Sequence, residues 1–186
     1  LPNQSFFRFC ESMLDEYRND KRVMDITGSN YLGEWKSDQQ DYHFSYYGGS
    51  WGWATWRRSW EWYDPEMRLW EESGVRKHLR DVLADRQQAS YLEYIFNKAY
   101  QEQHTWDYPW GFARLINSAH SVVPARNLVS NIGFGEEATN TKGTDSPWSE
   151  IPRTSLNFPI DRKEFVAVDR EYDKRFHKLR PLFSRN

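Results

Sequence analysis

The sequence predicts an α/β domain, a mixed sheet of short strands flanked by helices, on three observations. Stretches that alternate like strands (23–27, 42–47, 121–123 and 128–132) are separated by stretches whose apolar residues recur at helical spacing. At 186 residues the chain is long enough to bury a sizeable core and short enough to be one domain. The mean hydropathy of -0.94 is low, yet 17% of the residues are aromatic, which argues against disorder. The apolar mass lies in rings rather than in Leu, Ile and Val.

Residues 4–18 place Phe6, Phe9, Cys10, Met13, Leu14 and Tyr17 on one helical face, with Ser5 as N-cap. Asn19-Asp20-Lys21 turns the chain into a strand over 23–27, which Gly28 stops. Residues 29–41 are polar and irregular, and a second strand over 42–47 ends at Gly48-Gly49. A tryptophan-rich helix over 51–62 follows, broken at Tyr63-Asp64-Pro65. Residues 66–85 read as helical with an interruption at Ser73-Gly74, and 87–103 as a helix with Tyr91, Tyr94, Ile95 and Ala99 inward. Another helix runs from Trp106 to Asn117, tolerating Pro109 because first-turn N–H groups are unpaired anyway. Two short strands, 121–123 and 128–132, join through Pro124. Loop-like sequence extends to about 160, and a charged segment over 162–180 offers Phe165, Val168, Tyr172 and Phe176 to one helical face. The expected division is 1–160 as the main body and 161–186 as a charged helical tail. No strand precedes the first helix, so the architecture reads as half of a larger α/β unit.

A formal charge of -2 gives no global attraction to nucleic acid or to an anionic membrane. Cys10 is the one cysteine, which rules out an intramolecular disulfide, fits a cytoplasmic location and, with no His/Cys spacing beside it, argues against a structural zinc site. No run approaches the roughly 20 apolar residues that span a bilayer, and no signal peptide is visible. The chain begins at Leu1 without methionine, as a piece of something longer would.

Six tryptophans, Trp51, Trp53, Trp56, Trp60, Trp62 and Trp70, fall within twenty residues. On a helix Trp53, Trp56 and Trp60 share a stripe about 60° wide, with Trp51 and Trp62 near the opposite side. Two aromatic faces need two partners. One is the domain core; the other is either more protein or a flat apolar ligand such as a sugar ring.

The strongest chemical candidate is His-Thr-Trp-Asp-Tyr-Pro-Trp-Gly-Phe-Ala-Arg, 104–114, in which Asp107, Gly111 and Arg114 share a helical face at i, i+4 and i+7. A glycine inside a helix costs about 1 kcal/mol relative to alanine, so it wants a reason, and room for a substrate beside Asp107 is one. Trp106 and Trp110 would wall the neighbouring side. Asp107 then serves as general base towards an alcohol, or else Asp107 or Thr105 simply caps the helix. The segment 133–145, with three glycines among small polar residues, reads either as a ligand-binding loop after a strand or as ordinary surface. It lacks the spacing of a phosphate-binding loop, and Glu136 and Glu137 would repel phosphate. His43, His78, His104, His120 and His177 show no ligand spacing, and no Gly-x-Ser-x-Gly elbow occurs.

Three segments in order resemble a known family: Phe-Ser-Tyr-Tyr-Gly-Gly-Ser-Trp-Gly-Trp-Ala-Thr-Trp-Arg-Arg-Ser-Trp at 44–60, Thr-Trp-Asp-Tyr-Pro-Trp at 105–110, and Leu-Val-Ser-Asn-Ile-Gly-Phe-Gly-Glu-Glu-Ala-Thr at 128–139. They are similar to bacterial GT-A-type nucleotide-sugar transferases labelled haemolytic-protein-like or FkbM-associated, and more distantly to N-acetylglucosaminyltransferase I. The resemblance runs from Ser5 to the Phe-Pro-Ile at 158–160. It implies a partial GT-A fold and inverting transfer from a nucleotide-diphosphate sugar to a saccharide or other hydroxyl acceptor, with Asp107 as catalytic base. It also implies substrate contacts from Gly52, Trp53, Trp56, Arg57, Trp106, Tyr108, Gly111 and Arg114, and from Gly133, Gly135 and Glu137 in a loop ordering over the donor.

Two departures matter. The family holds Mg²⁺ or Mn²⁺ on an Asp-x-Asp motif lying just before the Pro-x-x-Ser-Phe-Phe found here at Pro2 to Phe7, and no Asp-x-Asp occurs in 1–186. Asn140 stands where relatives often carry histidine, so no metal ligand is assigned there. The resemblance therefore implies that the nucleotide-binding N-terminal half is missing and that this chain alone does not turn over. Two rival readings remain at this point: a non-catalytic saccharide-binding module, and a self-associating domain joined through exposed aromatics.

Overall fold

The computed structural model describes residues 1–103, 105–133, 148 and 151–179. Helix α1 (Gln4–Glu16) is capped by Asn3 rather than Ser5: the Asn3 side-chain oxygen accepts the Ser5 N–H at 2.9 Å. Phe6, Phe9, Cys10 and Met13 form its buried face, as their spacing requires. Strands β1 (Val23–Thr27), β2 (Tyr42–Ser45), β3 (Trp53–Thr55) and β4 (His120–Pro124) make one sheet in the order β2-β4-β1-β3. β1 and β4 run parallel, while β2 on β4 and β3 on β1 are antiparallel. The sheet is therefore mixed and short-stranded, with helices packed against it.

The tryptophan-rich segment is not the expected helix. Residues 53–55 are a strand, and only Arg57–Trp60 (α2) turns helical. Pairing with β1 supplies 53–55 with backbone partners, and that long-range contact outweighs the local helical spacing of the rings. Gly52 turns the chain into β3 at φ +65°, where an added Cβ would stand 2.7 Å from Val129 Cγ2 and 3.3 Å from the Phe6 ring.

Residues 66–85 divide into a 3₁₀ turn (Arg68–Glu71) and helix α3 (Ser73–Leu83). Helix α4 (Arg86–Glu102) is capped by Asp85, which accepts from the Gln87 and Gln88 N–H groups. Its buried stripe is Gln88, Ala89, Leu92 and Phe96, whereas Tyr94, expected inward, is exposed. Tyr91, Ile95 and Ala99, also expected inward, are partly buried against the same core on its flank. Helix α5 (Asp107–Ile116) lies where the pattern places it. The strand expected at 128–132 is absent, Val129 making a lone bridge to Pro2. Helix α6 (Arg170–Leu179) buries Tyr172 and Phe176, while Phe165 before it is exposed.

Adjacent residues of β4 show the layering. Val122 joins Phe9, Met13, Ile26 and Phe44 under α1, and Val123 joins Trp70, Leu92, Phe96, Phe112, Tyr172 and Phe176 under α3 to α6. One irregularity matters for the site. Between Val23 and Asp25, β1 advances two residues against one of β4, a bulge. Val23 and Ile26 face the α1 cluster, whereas Met24 and Asp25 both meet α5.

Candidate functional site

His104 lies outside the described residues, and helix α5 carries residues 107–114 of the motif, burying Pro109, Trp110, Phe112, Ala113 and Arg114. Asp107 is its first helical residue, half-buried, and the preceding Trp106 makes no side-chain cap. The Asp107 carboxylate accepts no hydrogen bond among the described residues, and the Thr105 hydroxyl is buried without a partner among them. Neither residue caps the helix, so the Asp107 oxygens are not committed to the described backbone.

Beside that turn stands an indole cluster assembled from three segments. Trp53 of β3 stacks on Trp106, centroids 5.0 Å apart, and Trp60 of α2 stacks on Tyr63 at 4.4 Å. Trp53 and Trp60 meet at 5.8 Å, and both lie over Trp110, at 5.9 and 5.3 Å. Trp60 and Trp106 are each 40% exposed, while Trp110 at 4% is the floor. Such offset and tilted ring pairs suit the quadrupoles of the indoles and leave outer faces for a ligand. Asp107 borders the cluster at Tyr63: burial pushes that phenol up, and the negative charges of Asp107 and Asp64 add to the shift.

Beneath the floor is a buried charge pair. The Trp110 indole N–H donates to Asp25 Oδ2 at 2.9 Å, and Arg114 Nε lies 3.3 Å from the same oxygen. Arg114 Nη1 donates to Ser121 Oγ at 2.5 Å and to the Tyr46 carbonyl at 3.4 Å.

The structure thus brings Asp107, Trp53 and Trp106 together, with Tyr108 exposed on the same turn. Arg114 points into the interior, engaged by Asp25. The space at Gly111 opens on α4, where a Cβ would touch Phe96 at 3.8 Å. Trp56 turns to the other face of the sheet, donating its indole N–H to the Leu14 carbonyl at 3.0 Å under the Arg58 guanidinium. Arg57 is exposed, Gly52 is packed against Phe6 and Val129, and Gly133 is exposed with its N–H on Asn131 Oδ1. Gly135 and Glu137 lie outside the described residues. Trp51 packs on Tyr31 and Trp148, whereas Trp62 is 61% exposed. Sequence reasoning missed Tyr63 and Asp25. The signal for Asp25 was present, a carboxylate inside the otherwise apolar run Val-Met-Asp-Ile.

Two open concavities, about 870 and 420 Å³, lie elsewhere, around the turn after α1. Their lining includes two ion pairs, Arg18 with Asp15 and Arg22 with Asp20. Among the described residues no group of three or more His, Cys, Asp or Glu side chains is arranged to hold a metal ion, and no helix is long and apolar enough to cross a membrane. No protein-family model matches the chain, and no curated protein or solved structure is detectably similar to it.

Proposed function

We propose that this chain is the acceptor-side portion of a cytoplasmic GT-A-type glycosyltransferase. It would carry out inverting transfer from a nucleotide-diphosphate sugar to a saccharide or other hydroxyl acceptor. The observation that carries the reading is the uncapped, half-exposed Asp107 carboxylate at the edge of the indole cluster. A sugar ring lying on the outer face of Trp106 or Trp60 brings a hydroxyl towards Asp107. The hydroxyl proton passes to the carboxylate while its oxygen attacks the anomeric carbon from the side opposite the nucleotide. The bond from that carbon to the diphosphate oxygen breaks, and its electron pair leaves with the diphosphate. The Mg²⁺ or Mn²⁺ that the resemblance implies does not fit the described residues, which offer no cluster of ligands for it.

Asp107→Asn in the full-length protein tests the reading. Transfer from labelled nucleotide sugars should fall by about 100-fold or more, while saccharide binding, followed by calorimetry, is retained. Unchanged transfer would remove Asp107 from the chemistry.

A second reading, a saccharide-binding surface without catalysis, is favoured by the 40% exposure of both Trp60 and Trp106. It predicts binding that Trp106→Ala abolishes and no transfer with Asp107 intact. Self-association through Trp62, the most exposed indole of the 51–62 segment, is tested by light scattering on Trp62→Ser.

A further inference from the structure

We propose that Asp25 is a positioning residue for Asp107, acting through the two α5 side chains that it holds; the inference rests on the reading of Asp107 as base. Asp25 is buried in β1 beneath α5. Its Oδ2 takes the Trp110 indole N–H at 2.9 Å and lies 3.3 Å from Arg114 Nε. Trp110 and Arg114 stand at i and i+4, so one oxygen grips successive turns of one helix face. Arg114 is held from its far side by Ser121 of β4 and by the carbonyl of Tyr46, next after β2. Directional contacts to the sheet thus set both the roll of α5 and its height along the strands.

The first turn of α5 follows that setting. Asp107 lies one turn before Trp110, and Trp106 beside it must meet Trp53 face to face. Trp53 sits on β3, which pairs with β1 in a register that puts Thr55 opposite Asp25. Asp25 therefore keys the helix bearing the base to the very strand pair that bears its stacking partner. The bulge is what aims it there: in a regular strand Met24 and Asp25 would point to opposite faces.

Adhesion alone does not call for this pair. Well-packed apolar side chains would hold α5 to the sheet at least as firmly as a buried ion pair, but without directional register. Asp25 Oδ1 has no hydrogen-bond partner among the described residues, and Arg114 Nε meets Asp25 as an ion pair without hydrogen-bond geometry, a further cost in a purely structural role.

The decisive variant is Asp25→Leu/Arg114→Met in the full-length protein, which removes both charges and fills the site with apolar side chains. It should fold with a lowered thermal midpoint, because the buried Trp110 indole N–H and Ser121 Oγ lose their partners. Its Trp106 indole N–H and Asp107 carboxyl-carbon resonances should shift, and the exciton signal of the stacked indoles should weaken. Its kcat should fall by about 100-fold with little change in KM, the scale of a misplaced catalytic group. Unmoved resonances in the folded double variant would overturn the proposal. If the double variant does not fold, Asp25→Glu decides: it keeps the charges but moves the grip by one methylene, and unmoved Asp107 and Trp106 resonances again overturn it. Shifted resonances with undiminished transfer would uphold the positioning and instead refute Asp107 as base.

Discussion

Trp53 and Trp106 stack with centroids 5.0 Å apart and planes 25° from parallel, joining strand β3 to the threshold of helix α5. Two segments far apart in the chain meet on one aromatic surface, with the Asp107 carboxylate beside it. Ring position, more than ring number, separates the indoles that face solvent from those that hold the fold.

Trp106 and Trp110 should accordingly behave differently on truncation. Trp106→Ala removes a half-exposed stack and should cost about 1 kcal/mol. Trp110→Ala empties the floor and orphans an Asp25 contact, and should cost about 3–5 kcal/mol. Urea denaturation of the two variants measures the difference.

Gly52 should resist substitution. Its φ of +65° is strained for any side chain, and a Cβ would press on Val129 and Phe6. Gly52→Ala should lose about 1–3 kcal/mol, read as a lowered denaturation midpoint.

The C-terminal helix supplies core rings. Phe176, 1% exposed, sits in the larger apolar cluster, so Phe176→Ala should cost about 3–5 kcal/mol. Phe165, 69% exposed, should change stability by less than about 0.5 kcal/mol when replaced by alanine.

Acid should unfold the protein partly through His43. Burial pushes its imidazole down to about 3, with Asp169 favouring the charged form and Lys163 and Lys36 opposing it. Folded His43 stays neutral while the unfolded chain takes up a proton below pH 6.5, so its contribution is complete above 6.5 and is lost towards 3. The loss is about 1.4 kcal/mol per pH unit. His120, lowered by burial to about 4, acts in the same sense. Asp173 acts in the opposite sense: burial raises it to about 6 from 3.8, so its contribution is complete below 3.8 and is lost as pH rises through 6. Between pH 4 and 6 one histidine cancels against Asp173, and His43→Leu should leave these groups' combined slope near zero. Urea midpoints measured across that range show it.

Much of the fold was legible. Helix α1 and helix α5 follow from apolar spacing, since a helix face is a local property of its own segment. Asp107 and its tryptophan neighbours were likewise visible as a compact motif. Illegible were the strand at 53–55, the most deeply buried stripe of α4 (Ala89, Leu92, Phe96) and the grip of Asp25 on α5, each settled by a partner distant in the chain.

By itself, then, the sequence determined an α/β layering, the principal helices and a carboxylate among indoles, because periodicity and ring content are carried by contiguous residues. Tertiary structure alone decided which indoles meet, which face outward, and that Arg114 turns inward to Asp25. Those outcomes are contact energies between remote segments, and the edge of β1 and the bulge at Asp25 come into being only when the sheet assembles.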